Sequence, residues 1–465
     1  ILTEAEDGTW WQERARSLRA ATKRPLRRVR IPRDTALYGR DADLQVLSDL
    51  YERAKAGDGQ VLFLEGEAGV GKTRLVDEFV AGLQASGEDI NFLYGSYLPG
   101  GAATAAGAWS TAFREHFGAE SLEDTLRSYL AERPVLIPAF AAMLRGEPPP
   151  KGEPALTRDT LQTVFVHTTH ALAEERPTVI LIEDLHFAPH EGLTVLTSLA
   201  EAVPEHRVLL IGTLRPGPED DWITELERRP HVHRHVVPRL GARDLVNLLR
   251  DAFHSEALAE RLSGRIAVKS DGNPFFVFEI IRALREEKSI AERPDGTWAT
   301  TEHFRDITVP SSLTDLVNAR ISALERGERE LLEVAACCGF EFDPLVAADA
   351  AGLERVPGLK LFGQIEKQHR LVRSAGRHLV FDHHQVQEWL YRGLPDLLRE
   401  NYHALIGAAL EASVPEDQRG TVADALAVDL AEHFLRGGQT ARALPYLDAA
   451  LAHLESGYLM AHAAE

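Results

Sequence analysis

The chain has 465 residues with 51 Lys and Arg against 71 Asp and Glu, and its net charge of −20 disfavours broad nucleic-acid binding over most of the surface. Hydrophobic residues make up 44% and charged residues 26%, the proportions of a globular protein, and no stretch approaches the ~18 apolar residues of a membrane span. The length predicts three or four domains, while two adjacent cysteines, Cys337 and Cys338, exclude a disulfide framework or a metal-binding spacing and fit a reducing cytoplasm.

Residues 1 to 36 read as the end of a preceding domain and a basic linker. Trp10 to Ala21 has a helical pattern that Pro25 and Pro32 break. Arg14, Arg16, Arg19, Lys23, Arg24, Arg27, Arg28, Arg30 and Arg33 crowd this stretch. They form either a solvated helix entering a linker or a contact for nucleic acid or an acidic partner. The chain opens without methionine and stops inside a helical pattern at Ala461 to Glu465, as expected of a trimmed fragment.

The stretch 37–240 alternates strand and helix signals. Gln60 to Glu65 is an apolar run bounded by Gly59 and Gly66, as for a strand buried on both faces. Further strands are predicted at Asn91 to Tyr94, Thr178 to Ile182 and Val208 to Gly212, with helical segments such as Leu161 to Glu174 between them. The alternation implies a doubly wound α/β sheet with right-handed crossovers. From Gly241 amphipathic helices run through Glu287, with Leu245, Leu248, Leu249 and Phe253 on one face, so 241–309 reads as a helical lid. In 310–399 three helical segments, one of them carrying the cysteines, precede two short apolar runs around Ser374 to Arg377. Helices followed by such a hairpin suggest a winged helix. In 400–465 the spacing of Leu430, Phe434, Gly438, Ala443, Leu447 and Ala450 matches a tetratricopeptide helix pair, with Glu455 where that repeat usually has proline. The predicted fold is therefore an α/β P-loop NTPase domain with a parallel sheet, then a lid, a winged helix and the start of an all-α TPR-like region.

Gly66, Glu67, Ala68, Gly69, Val70, Gly71, Lys72 and Thr73 form G-x-x-x-x-G-K-T between the first strand and its helix, with Arg74 following. Glycines let successive amides turn toward a phosphate, and the helix N-terminus adds partial positive charge. Lys72 is then placed to reach the β- and γ-phosphates of ATP, and Thr73 to ligate Mg²⁺. Thr178 to Ile182 leads into Glu183 and Asp184, where one acid is expected to hold the Mg²⁺ hydration shell and the other to act on the attacking water. Taken alone, such a pair also suits a helix cap. The order Glu then Asp is the reverse of the usual one in fast P-loop ATPases and predicts slow hydrolysis. Thr213 and Arg215 follow the Val208 strand, with Arg215 the candidate γ-phosphate sensor or a surface ion-pair partner. Pro274, after Gly272 and Asn273, sits where a proline starts a helix, and His383 follows the hairpin as a phosphate reporter or a structural histidine.

The motifs GEAGVGKT, LIEDLHF, GTLRP, GNPFF and FDHH, in this order, resemble those of the STAND branch of AAA+-like ATPases across residues 37 to 455. The likeness is greatest to bacterial signalling proteins with tetratricopeptide repeats, related to the maltose-regulon activator. It implies a domain set closed around ADP that opens on exchange for ATP and self-associates. An inducer would bind the repeats, and an effector domain, missing or N-terminal, would contact DNA as a transcriptional regulator. The resemblance also implies that Tyr38, Gly39 and Arg40 lie against adenine, that Pro274 packs on the base and that His383 contacts the β-phosphate. Phe187 replaces the usual tryptophan, and Asp382 stands where a basic residue is common.

Two other readings compete with this switch. A DNA-binding AAA+ ATPase of the origin-recognition type would grip duplex with the winged helix, but Leu361 to Arg370 offers only Lys367 and Arg370 as cations against Glu366. A small-molecule kinase would need a phosphoacceptor pocket, and no motif for one is evident.

Overall fold

The computed structural model describes residues 36–97, 107–118, 121–147, 150, 156–217, 221–301, 321–322, 324–369, 371–382, 384–415, 422 and 425–456. The basic cluster, the helix expected at Trp10 to Ala21 and His383 lie outside these residues.

In chain order the elements are α1 (Asp41–Lys55), β1 (Gln60–Glu65), α2 (Lys72–Ala85), β2 (Asn91–Ser96), α3 (Gly107–Phe117), α4 (Leu122–Tyr129), α5 (Ile137–Arg145), α6 (Arg158–Glu175), β3 (Thr178–Glu183), α7 (His190–Ala202), β4 (Val208–Leu214), α8 (Asp221–Leu226) and β5 (Val232–Val236). The five strands pair in parallel in the order β2-β3-β4-β1-β5. The apolar runs β1, β3 and β4 are buried on both faces, which is why they read as continuous rather than alternating. Their alternate residues feed two cores. Leu62, Leu64, Val179, Leu181, Leu209 and Ile211 pack with α1 and α2, and Val61, Phe63, Ile180, Ile182 and Leu210 pack with α3 to α7. The edge strand β5, VHRHV, alternates with polar residues and gives no apolar run, so the sequence concealed it. Helix α6 starts at a reciprocal capping box between Thr157 and Thr160.

The stretch expected to be a lid forms α9 (Ala242–Phe253), α10 (Glu256–Ser270) and α11 (Pro274–Glu286), then a hairpin of β6 (Ile290–Glu292) and β7 (Trp298–Thr300). Leu245, Leu248, Leu249 and Phe253 are buried together, as their spacing required, with Leu262, Ile266, Val277 and Ile280. The hairpin was not anticipated, because its strands are only three residues long and the turn signal Asp295-Gly296 is flanked by charge.

Beyond it lie α12 (Arg326–Cys338), β8 (Glu341–Phe342), α13 (Pro344–Ala350), α14 (Arg355–Gln364), β9 (Val372–Ala375), β10 (His378–Phe381) and α15 (His384–Gly393). The predicted hairpin is β9–β10, and the two-residue β8, too short to leave a pattern, adds to β10 in an antiparallel sheet ordered β8-β10-β9. Phe342 lies 5.4 Å from both Phe362 and Phe381 at the centre of this core. Both cysteines are free thiols in α12, and burial pushes Cys337 up to about 12.

The last helices are α16 (Asp396–Ser413), α17 (Ala425–Arg436) and α18 (Thr440–Ser456). The α17–α18 pair buries Leu430, Phe434, Ala443 and Ala450. No helix among the described residues is long and apolar enough to cross a membrane.

Where α15, α16 and α17 meet, His403 Nδ1 lies 2.9 Å from His433 Nδ1, and the Tyr391 hydroxyl lies 3.2 Å from His403 Nε2. One ring must present a lone pair to the other, so protonation of both would set two N–H groups head-on. Burial, with Arg436 nearby, pushes both imidazoles below their usual range. Asp429 opposes this, since burial and Glu432 raise its carboxyl to about 6. An unfolded histidine takes up its proton near pH ~6.5, before the folded pair does, so the two rings contribute stability above that pH and lose it as pH falls. Two imidazoles outweigh one carboxyl. The thermal midpoint, followed by circular dichroism, should fall between pH 7.5 and 5, and His433→Leu should flatten that slope.

Candidate functional site

The strand order sets the site. β4 lies between β1, which leads into the glycine-rich loop, and β3, which ends in the acids, so three consecutive strand ends bring Lys72, Asp184 and Arg215 to one edge of the sheet.

The loop from Gly66 to Gly71 has its carbonyls engaged from outside. Lys72 Nζ donates to Gly66 O at 2.7 Å and Glu67 O at 3.2 Å. Asn273 Nδ2 donates to Ala68 O at 3.0 Å, the Phe275 amide to Gly69 O at 3.3 Å, and Arg40 Nη2 to Val70 O at 2.9 Å. The amides of Gly66 and Val70 donate to Leu214 O at 3.2 Å and Glu67 O at 3.3 Å, so the loop closes as a tight turn at the N-terminus of α2. Gly69, at φ +79°, permits this and also lets the lid approach, since a Cβ there would stand 2.6 Å from Phe275 Cβ. Burial pushes the Lys72 ammonium down, while Asp184 draws it up. Val70 is buried in the α1–α2 core, Ala68 and Arg74 are partly buried, and the Thr73 side chain is exposed at the start of α2.

At the end of β3, Glu183 is buried and accepts the Tyr94 hydroxyl at 2.9 Å. Asp184 adopts φ +56°, and its amide donates to Thr213 Oγ1 at 3.0 Å. β4 runs two residues further than its apolar run suggested. Thr213 therefore lies inside the strand, fixing the acid turn instead of facing a phosphate. Burial, reinforced by Glu183, raises the Asp184 carboxyl to about 6, against the pull of Lys72 and Arg215.

Arg215, just past β4, lies 5.4 Å over the Phe187 ring, and its Nη2 is buried without a hydrogen-bond partner. Asp184 and Glu388 act on it electrostatically, and that nitrogen has no acceptor among the described residues. His186 has both ring nitrogens buried without partners, and burial beside Arg215 and Lys72 pushes it down to about 4. Sequence reasoning passed over His186 and Tyr94, whose roles depend on three strands being adjacent.

The α9–α11 module, expected to be a lid, meets this edge through Gly272 to Phe275. Asn273 caps α11 by accepting the Phe275 amide at 3.0 Å, and Pro274 takes the first helical position. The sequence marked Pro274, yet the hydrogen bonds to the loop come from its neighbours, Asn273 and Phe275. Tyr38 packs on the lid core, and Gly39 presses on Asp244, where a Cβ would come within 2.6 Å of Cγ. Arg40 also meets Asp43 at 3.3 Å, and Asp43 takes His235 Nε2 at 2.6 Å, so this buried arginine braces the loop.

Such a site fits an anion with a divalent cation. A guanidinium nitrogen buried without a partner, an ammonium that donates to loop carbonyls, and a glycine-rich turn at a helix N-terminus all match a polyphosphate. Among the described residues no cluster of three or more His, Cys, Asp or Glu could cage a metal. Mg²⁺ bound with phosphates needs no cage and uses one or two protein oxygens. Exposed Thr73 and the Glu183–Asp184 pair carry oxygens that could serve in this way.

Residues 36–211 match the AAA ATPase domain family, and the chain shares its fold with a solved STAND protein. It aligns with a STAND protein carrying a tetratricopeptide repeat sensor from Pyrococcus horikoshii at TM-score 0.51 and 14% identity, over 92% of this chain and 54% of that one. The ORC1 protein of Aeropyrum pernix in complex with DNA aligns at TM-score 0.37 and 16% identity, over 77% of this chain and 93% of that one. An uncharacterized protein of Rhizobium meliloti is 24% identical over 451 residues, 89% of this chain and 40% of its own length. The chain thus spans about half of the Pyrococcus protein and less of the Rhizobium relative.

Asn273→Ala should lower stability by about 2–3 kcal/mol in denaturant titration, since a helix cap is lost and the Ala68 carbonyl left unpaired. Asn273→Asp keeps the cap acceptor but not the donor, so the difference between the variants isolates the bridge to the loop.

Proposed function

We propose that the chain is the nucleotide switch of a larger multidomain signalling protein. It binds ATP or ADP with Mg²⁺ at the Gly66–Thr73 loop, and the bound nucleotide sets how the later modules dock on the first. The observation that carries this reading is the seating of the lid turn on the loop, where Asn273 Nδ2 donates to Ala68 O and the Phe275 amide to Gly69 O. A nucleotide that shifts those peptides must alter the lid contacts, and a lid that leaves must loosen the loop.

In this reading Lys72 bridges the β- and γ-phosphates, while Thr73 and one of Glu183 and Asp184 hold the metal's coordination shell. Arg215 senses the γ-phosphate, its unpaired Nη2 supplying the missing hydrogen bond. Tyr38, Gly39 and Pro274, between loop and lid, form the base pocket. Hydrolysis is slow because Tyr94 occupies an oxygen of Glu183, which leaves Asp184, the shorter acid, to act on water. The modules at 310–399 and 400–465 are read as a winged helix and the first TPR-like repeats, with His383 as a phosphate contact. The ATP state self-associates in the cytoplasm, an inducer binds the repeats, and the output is transcriptional through an effector domain. The STAND neighbour with its tetratricopeptide sensor supports this arrangement as a likeness of fold. No observation among the described residues favours gripping DNA through the hairpin module.

The test is to denature the purified protein, identify any released nucleotide, and compare solution mass in ADP with that in a non-hydrolysable ATP analogue. Bound ADP in a monomer, with larger species under the analogue, is the expected result; equal mass in both refutes the switch. Lys72→Ala should bind either nucleotide about 10- to 100-fold more weakly, the value of one charge-assisted hydrogen bond.

A further inference from the structure

We propose that His186 positions the water that attacks the γ-phosphate, an inference that rests on the nucleotide reading above. The residue lies in the single helical turn Leu185–Phe187 that follows Asp184. The left-handed conformation of Asp184 folds this turn back on the acid, so His186 Nδ1 stands 4.0 Å from Asp184 Oδ1. That gap is too long for a hydrogen bond and suits a bridge through a third atom. The ring is held at 4.1 Å from Phe187, which also lies under the Arg215 guanidinium. Both ring nitrogens are buried without partners, beside Arg215 and Lys72.

A histidine kept only for packing would leave two buried polar atoms unpaired, at about 1–3 kcal/mol each. Those atoms lie beside Asp184, Arg215 and Lys72, the groups that the nucleotide reading sets around the γ-phosphate. A neutral imidazole offers one lone pair and one N–H, so it can accept from a water that also donates to Asp184, and donate in turn to a phosphate oxygen. In the reaction the water oxygen bonds to the γ-phosphorus. The bond from phosphorus to the bridging oxygen breaks with its electron pair left on ADP, and the water's proton passes to the Asp184 carboxylate. His186 takes no proton; it fixes the approach of the water.

The experiment measures, on the same chain, dissociation constants for fluorescent ADP and ATP analogues and the single-turnover cleavage of ATP with Mg²⁺. His186→Leu should slow cleavage about tenfold to a hundredfold while leaving the ADP constant within about threefold and weakening the ATP analogue no more than about tenfold, the value of one hydrogen bond. His186→Gln, which keeps a donor and an acceptor, should retain more of the rate than the leucine variant. Cleavage at the wild-type rate in His186→Leu overturns the proposal, as does an equal loss of ADP and ATP-analogue binding, which would make the residue a general support of the pocket. Wild-type protein that binds ATP without cleaving it removes the role of His186 and leaves the switch standing. Wild-type protein that binds neither nucleotide removes both.

Discussion

The carbonyl oxygens of the loop from Gly66 to Val70 must be held away from the phosphate pocket. A peptide group cannot present its amide to one side without presenting its carbonyl to the other, so a loop that lines an anion pocket with N–H groups must satisfy the opposite row elsewhere. Here that row is met by Lys72, Asn273, Phe275 and Arg40. Two of these four come from the lid and one from the approach to α1, so the loop's conformation is the joint property of segments far apart in the chain.

This explains which parts of the site could be read from the sequence. The loop, the acid strand and the proline at the start of α11 are local patterns, each fixed by the backbone geometry of a few consecutive residues. The parallel sheet was legible for the same reason, since strands buried on both faces leave continuous apolar runs at Gln60, Thr178 and Val208. Roles created by adjacency left no such mark. Nothing near Tyr94 says that its hydroxyl meets Glu183, and nothing near Thr213 says that it anchors the Asp184 amide. The edge strand β5 and the short strands β6 to β8 escaped for a different reason: their pairing is decided by neighbours, not by their own two to five residues.

The two acids illustrate how a small change in order alters what a site can do. Glu183, the longer acid, is still in the strand and reaches back to Tyr94 on β2, whereas Asp184 occupies the turn and lies in the field of Lys72 and Arg215. The usual order would place the longer side chain in the turn, with more reach toward a water above the phosphate. The shorter one leaves a gap, and the gap opens beside the ring of His186. A carboxylate whose pKa is raised by burial and by its neighbour is destabilised in its ionised form, and a divalent cation would relieve the repulsion between the pair.

The lid contact also bounds how strongly a nucleotide can act. A ligand shifts a conformational equilibrium only by the difference in its affinity for the two states, so contacts within the sheet domain alone, common to both states, cannot drive opening. The groups that can discriminate are those attached to other modules or changed by their departure. Asn273 and Phe275 qualify, because they hold the loop from the lid, and Arg215 qualifies, because Glu388 on α15 acts on it from the module beyond. A γ-phosphate that captured Arg215 would withdraw that positive charge from Glu388 and leave its carboxylate to Arg392, already 2.7 Å away. The weakened attraction would fall between the sheet edge and α15.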